Sequence, residues 1–128
     1  MTPLLSLRKL FRFTGALGLV AIAVLALVPG PARPHVLTSG GSEHFFAYGL
    51  TGLFVIGSYW STVRPLFLSL FMSFYAGFLE LCQLAVAGRD AKLIDFGLSA
   101  LGVWTAFALL AIFFFFTAAN RRFWKTKI

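Results

Sequence analysis

The sequence predicts an all-α, polytopic membrane protein: one domain over residues 1–128, folded as a bundle of four transmembrane helices. Three observations predict it. Hydrophobic residues make up 59% of the chain and charged residues 12%, whereas a soluble domain carries roughly 25% charged residues. With sixteen Phe and so few charges, the chain could not cover a water-facing surface. Four apolar segments can be read along it, and eight of the eleven basic residues sit at segment ends that would share one membrane face, as topology signals do.

The first helix is expected over about 10–28. Its apolar run, Phe13 to Val28, is sixteen residues, so Leu10 and Phe11 must join it while Arg12 snorkels. Val28-Pro29-Gly30-Pro31 ends it, because proline cannot continue a helix. The second is expected over about 44–63, with Ser42 followed by Glu43 as a helix start. Arg64-Pro65 is a tight connection, and Pro65 suits the first position of a third helix over about 65–87. Gly88 suits the left-handed residue beyond its end. Asp95 suits the N-cap of a fourth helix over about 96–119, which carries no charge. Isolated segments in lipid must satisfy their own backbone groups, hence helices.

Four spans put both termini on one side. Arg8, Lys9, Arg12, Arg64, Arg121, Arg122, Lys125 and Lys127 share that side; Arg33, Arg89 and Lys92 lie on the other. The positive-inside rule makes the first side the cytoplasm. Cleavage of the first segment as a signal peptide, near Gly30-Pro31-Ala32, would leave three spans in the same orientation. The net charge of +7 is distributed as topology signals rather than as a nucleic-acid-reading face, so no nucleic-acid partner is expected. Membrane lipids are the expected surroundings. Cys82 is the only cysteine, which excludes an intrachain disulfide.

All four acids, Glu43, Glu80, Asp90 and Asp95, fall on the outer side with His35 and His44. Helical spacing sharpens this. Ser69, Ser73, Ala76, Glu80, Gln83 and Ala87 recur at 4, 3, 4, 3 and 4, and Asp95, Ser99, Gly102 and Ala106 at 4, 3 and 4. These are seams of small and polar side chains, suited to close packing of the third helix on the fourth. His44 and Tyr48 share a face of the second helix. A polar pocket at the outer ends of the second, third and fourth helices is therefore expected. Its candidate binding residues are Arg33, Glu43, His44, Tyr48, Glu80, Gln83, Arg89, Asp95 and Ser99. Ionisable residues at such depth are costly and mark a site by default; an ion-paired clasp fixing the bundle is the other reading. No catalytic triad is evident around Ser39, Ser42 or Ser99, and no HExxH or paired-His spacing appears, so neither a catalytic set nor a metal or cofactor is expected. Arg33, Arg89 and His44 could clamp a phosphate or carboxylate while Glu80 and Asp95 orient them.

"EHFFAYGLTG" at 43–52, "LELCQLAVAGRDAKLIDF" at 79–96 and "LSALG" at 98–102 resemble the VanZ-like membrane proteins. That family shows an acid and His-Phe near a Tyr and Gly, then Glu-x-x-Gln, Gly-Arg, and an Asp opening the last helix. The Pro-rich loop Pro29 to Pro34 is similar too, and the resemblance runs over roughly residues 20 to 106. Ser99 stands where members usually have Asn, and Ala106 where they often have Gly. The resemblance implies a multi-pass protein of the bacterial inner membrane. The family is named for low-level resistance to the glycopeptide teicoplanin, which assigns no resistance to this chain.

The expected function is binding of an amphiphilic cell-envelope molecule by its head group: a lipid-linked precursor, a phospholipid or a lipoglycopeptide. With no nucleophile or metal set assembled, binding is favoured over catalysis. The alternative is a structural or accessory subunit of a larger membrane complex, or a homo-oligomer, with the polar cluster only a packing clasp.

Overall fold

Four helices and two single 3₁₀ turns make up the regular structure of the computed structural model, which describes residues 3–34 and 40–125. The helices are α1 (Pro3–Leu27), α2 (Gly40–Tyr59), α3 (Pro65–Cys82) and α4 (Leu93–Lys125); the turns are Gly30–Ala32 and Gln83–Ala85. There is no strand among the described residues. His35, Ser39 and Lys127 lie outside them.

The proline and glycine breaks fall where expected, while several helix ends move. α1 stops at Leu27, two residues before Pro29, but begins at Pro3 rather than near residue 10. Lys and Arg are good helix formers, so the basic residues extend the helix instead of delaying it. α2 ends at Tyr59, not 63, because the amides of Thr62 and Val63 both turn back to the Tyr59 carbonyl at 2.9 Å. Arg64 is extended (φ −59°, ψ 121°) before Pro65 at the head of α3, as a residue preceding proline prefers. After Cys82 the chain tightens to one 3₁₀ turn, and Gly88 takes the expected left-handed conformation at φ +71°. α4 opens at Leu93, so Asp95 lies in its first turn and is not the N-cap. The Lys92 carbonyl accepts from the amides of Asp95 and Phe96 at 3.0 and 3.2 Å.

Three helical stretches are long and apolar enough to cross a membrane: Leu7–Leu27, Pro65–Ala85 and Leu93–Ala118. Large apolar side chains cover the outside, with Phe13, Phe74 and Phe115 exposed by 68, 73 and 70%. A surface this apolar belongs in lipid or against a partner. α2 is not among the three, because Glu43, His44 and several Gly, Ser, Thr and Tyr residues dilute its apolar character. Yet α2 is the central helix and packs on all three others, most extensively on α4.

Glycines set these approaches. Against α1, a Cβ at Gly18 would lie 2.7 Å from Thr51 Oγ1 and one at Gly15 2.9 Å from Val55 Cγ2, so α1 and α2 run antiparallel. Against α4, a Cβ at Gly52 would lie 3.2 Å from Ala106 Cβ and one at Gly57 3.4 Å from Leu110 Cδ2. Positions rise together along both chains, so α2 and α4 are parallel. A Cβ on Gly102 would collide with the Phe45 carbonyl oxygen. The Gly102 seam therefore seats α4 on α2, not on α3 as its spacing alone suggests. Ser69 and Ser99 are fully buried and Ser73 partly so. Their hydroxyls return to the carbonyls of Pro65, Asp95 and Ser69 four residues earlier, at 2.8–2.9 Å. Ser69 and Ser73 thus contribute small size, their hydroxyls being satisfied within their own helix, whereas Ser99 also meets His44 of α2. Ala87, the last position of the α3 stripe, is exposed.

Candidate binding cavity

Where α1 ends, the loop to α2 is pinned to the loop after α3. The Gly30 amide donates to the Ala87 carbonyl at 3.1 Å, and a Cβ on Gly30 would collide with the Gly88 carbonyl oxygen. Arg89 adds a second tie. Its Nε donates to the Val28 carbonyl at 3.1 Å and its guanidinium also donates to the Leu25 carbonyl. Both acceptors are terminal carbonyls of α1, which an isolated helix leaves without partners. Arg89 is thus anchored at its base to the scaffold rather than wholly free to clamp a ligand. Burial lowers its pKa, and so does the charge of Arg33, while Glu80, Asp95 and Glu43 oppose them.

Beneath these loops lies a cavity of about 560 Å³, within the range of small-molecule sites. Seven of the nine expected residues line it: Arg33, Glu43, His44, Tyr48, Glu80, Gln83 and Arg89. Asp95 and Ser99 do not. They stand behind His44, whose Nδ1 is 3.1 Å from Ser99 Oγ. The Ser99 hydroxyl donates to the Asp95 carbonyl at 2.8 Å. It must therefore accept from Nδ1–H, which fixes the ring tautomer. His44 also stacks on Tyr48, with ring centroids 6.5 Å apart and planes 10° apart.

The cavity is walled by α1, α2 and α3, not by α2, α3 and α4 as the sequence led us to expect. Ile22, Leu25 and Ala26 of α1 form its apolar side with Phe46, Ala47 and Leu79. The signal missed was a third stripe: Gly15, Gly18, Ile22 and Ala26 recur at 3, 4 and 4 and mark the inward face of α1.

Arg33 and Glu43 form an ion pair at 3.0 Å. Glu80, 6% exposed, accepts the Lys92 amide on Oε1 at 2.8 Å, which ties α3 to the start of α4. That contact with Lys92 is backbone-mediated and had no sequence signal. No cation lies within ion-pair distance of Glu80 among the described residues. Gln83 is 3% exposed and Tyr48 3% exposed. Both residues line the cavity, and neither the Gln83 amide nor the Tyr48 hydroxyl is hydrogen-bonded to another described residue. Glu80 also borders a second cavity of about 530 Å³ between α3 and the start of α4, lined mainly by Phe74, Phe78, Leu81, Leu93 and Phe96. No group of three or more metal-ligating side chains occurs among the described residues.

No family model, curated protein or solved structure matches this chain.

Proposed function

We propose that this is a VanZ-like protein of the bacterial inner membrane, with four spans and both termini in the cytoplasm. Its role is to hold the head group of an amphiphilic envelope molecule in the cavity between α1, α2 and α3. The observation that carries this reading is the pairing of Glu80 and Gln83 on the cavity wall. Both are buried, Glu80 in the last turn of α3 and Gln83 in the 3₁₀ turn after it, and the Gln83 side chain spends no hydrogen bond on the fold. An amide that faces the cavity and makes no hydrogen bond within the fold is open to a ligand's donor or acceptor. Apolar walls beside polar groups suit an amphiphile. α2 counts as the fourth span because its twenty residues reach about 30 Å and the other helices shield its polar groups from lipid.

A clasp is the second reading, favoured by the Arg33–Glu43 pair and by the Arg89 contacts with α1. Native mass spectrometry of gently extracted protein separates the two. A co-purifying lipid or lipid-linked molecule is expected at one per protomer, and Ala47→Trp, which fills the cavity, should abolish it without unfolding the protein. Bare protein, or adducts indifferent to Ala47→Trp, would leave the clasp.

A further inference from the structure

The polar groups of the cavity are arranged by sign, and this narrows the ligand class. The inference rests on the amphiphile reading above and deepens it. Arg33 and Glu43 neutralise each other at 3.0 Å. Two formal charges then remain on the lining: the Arg89 guanidinium and the Glu80 carboxylate. They are held apart by the scaffold. Arg89 is fixed to the end of α1 through the Val28 carbonyl, and Glu80 is fixed through Oε1 to the Lys92 amide. Around Glu80 the free hydrogen-bonding capacity is concentrated: its second oxygen, the Gln83 amide and the Tyr48 hydroxyl. A carboxylate oxygen and an amide oxygen together call for a donor. The guanidinium at the loop side calls for an anion. Beside both lie Leu25 and Phe46, exposed on the outer face of α1 and α2, where apolar chains could leave the cavity sideways.

We propose that the cavity selects a zwitterionic head group: a primary amine set against Glu80 and Gln83, with a phosphate at Arg89. The best match is a phosphoethanolamine head carried on acyl chains. A head group with a phosphate and no amine would satisfy Arg89 but leave Glu80 buried against an anion, which low dielectric makes unfavourable. A trimethylated amine carries the charge but has no N–H to donate.

The test is native mass spectrometry of the full chain titrated with phosphatidylethanolamine, phosphatidylglycerol and phosphatidylcholine of identical acyl chains. Phosphatidylethanolamine should bind about tenfold more tightly than the other two, the size expected for one well-made charged hydrogen bond. Glu80→Gln and Gln83→Leu should each reduce that preference severalfold. The Gln83 side chain holds nothing in the fold, so Gln83→Leu should melt as the wild type does. It keeps the test valid even if Glu80→Gln weakens the Lys92 tie. Equal or tighter binding of phosphatidylglycerol overturns the head-group assignment and leaves the amphiphile reading standing, as does a preference unchanged by Gln83→Leu. Failure of the folded protein to bind any of the three overturns both.

Discussion

Arg89 is the residue whose role changed most between sequence and structure. The sequence offers it as a clamp for a phosphate or carboxylate. The structure instead has it donating to the Val28 and Leu25 carbonyls, closing the end of α1. Arg89→Ala should therefore destabilise the protein by about 2 kcal/mol, the usual size for hydrogen bonds from a charged donor, and Arg89→Lys should recover only part of this. Thermal melting in detergent checks it; an unchanged melting temperature in Arg89→Ala would return Arg89 wholly to the ligand. Glu80 and Gln83 were legible because a carboxylate and an amide three residues apart in an apolar helix share a face. The partners of Arg89 and Glu80 were not legible, because they are backbone groups at other helix ends and backbone groups leave no mark in a sequence. Arg12 shows the same limit. Its guanidinium lies 4.4 Å from the centre of the Tyr59 ring, on a helix whose approach could not be read from spacing.

At the scale of the helices, spacing identifies the small residues as seams but not the helix they meet. Periodicity tells which residues share a face; it does not tell which neighbour that face meets. Gly102 meets Phe45 and Gly49 of α2. Gly102→Ala should thus cost about 1–3 kcal/mol through overpacking. Gly97→Ala, one turn and a half earlier with nothing near its Cβ position, should gain up to about 1 kcal/mol of helix propensity. Melting curves of the two variants side by side decide the point, and equal effects would mean that α4 does not sit on α2 in this register. Aromatic residues carry the same lesson. Not every residue of the run Phe113 to Phe116 faces outward. Phe113, Phe115 and Phe116 do, but Phe114 stacks on Trp60 with centroids 4.7 Å apart, because consecutive helical positions cannot all point the same way.

For the whole molecule, the gathering of acids at one end has a helical cause as well as a functional one. α2 and α4 both begin there and α1 ends there. Glu43 and Asp95 occupy the first turns of α2 and α4, Glu80 accepts the amide just before α4, and Arg89 meets the carbonyls of α1. The first turns of α2 and α4 and the end of α1 thus receive charge of the sign opposite to the helix dipole, worth about 0.3–1 kcal/mol apiece and more where water is excluded, whereas the last turn of α3 carries Glu80 and no basic residue. With the basic residues at the far end, the orientation should be strongly biased. An alkaline phosphatase fusion after Lys92 is expected to be active and one after Arg64 inactive; the reverse pattern would invert the membrane placement of the cavity. The central position of α2 has a further consequence, for the order of assembly. A ribosome completes α2 well before it reaches α4. In that interval Gly49 and Gly52 have no cover and His44 lacks Ser99. The nascent chain must therefore carry its least oily segment half-dressed until α4 arrives, and the surroundings of His44 and Glu80 take their finished shape only then.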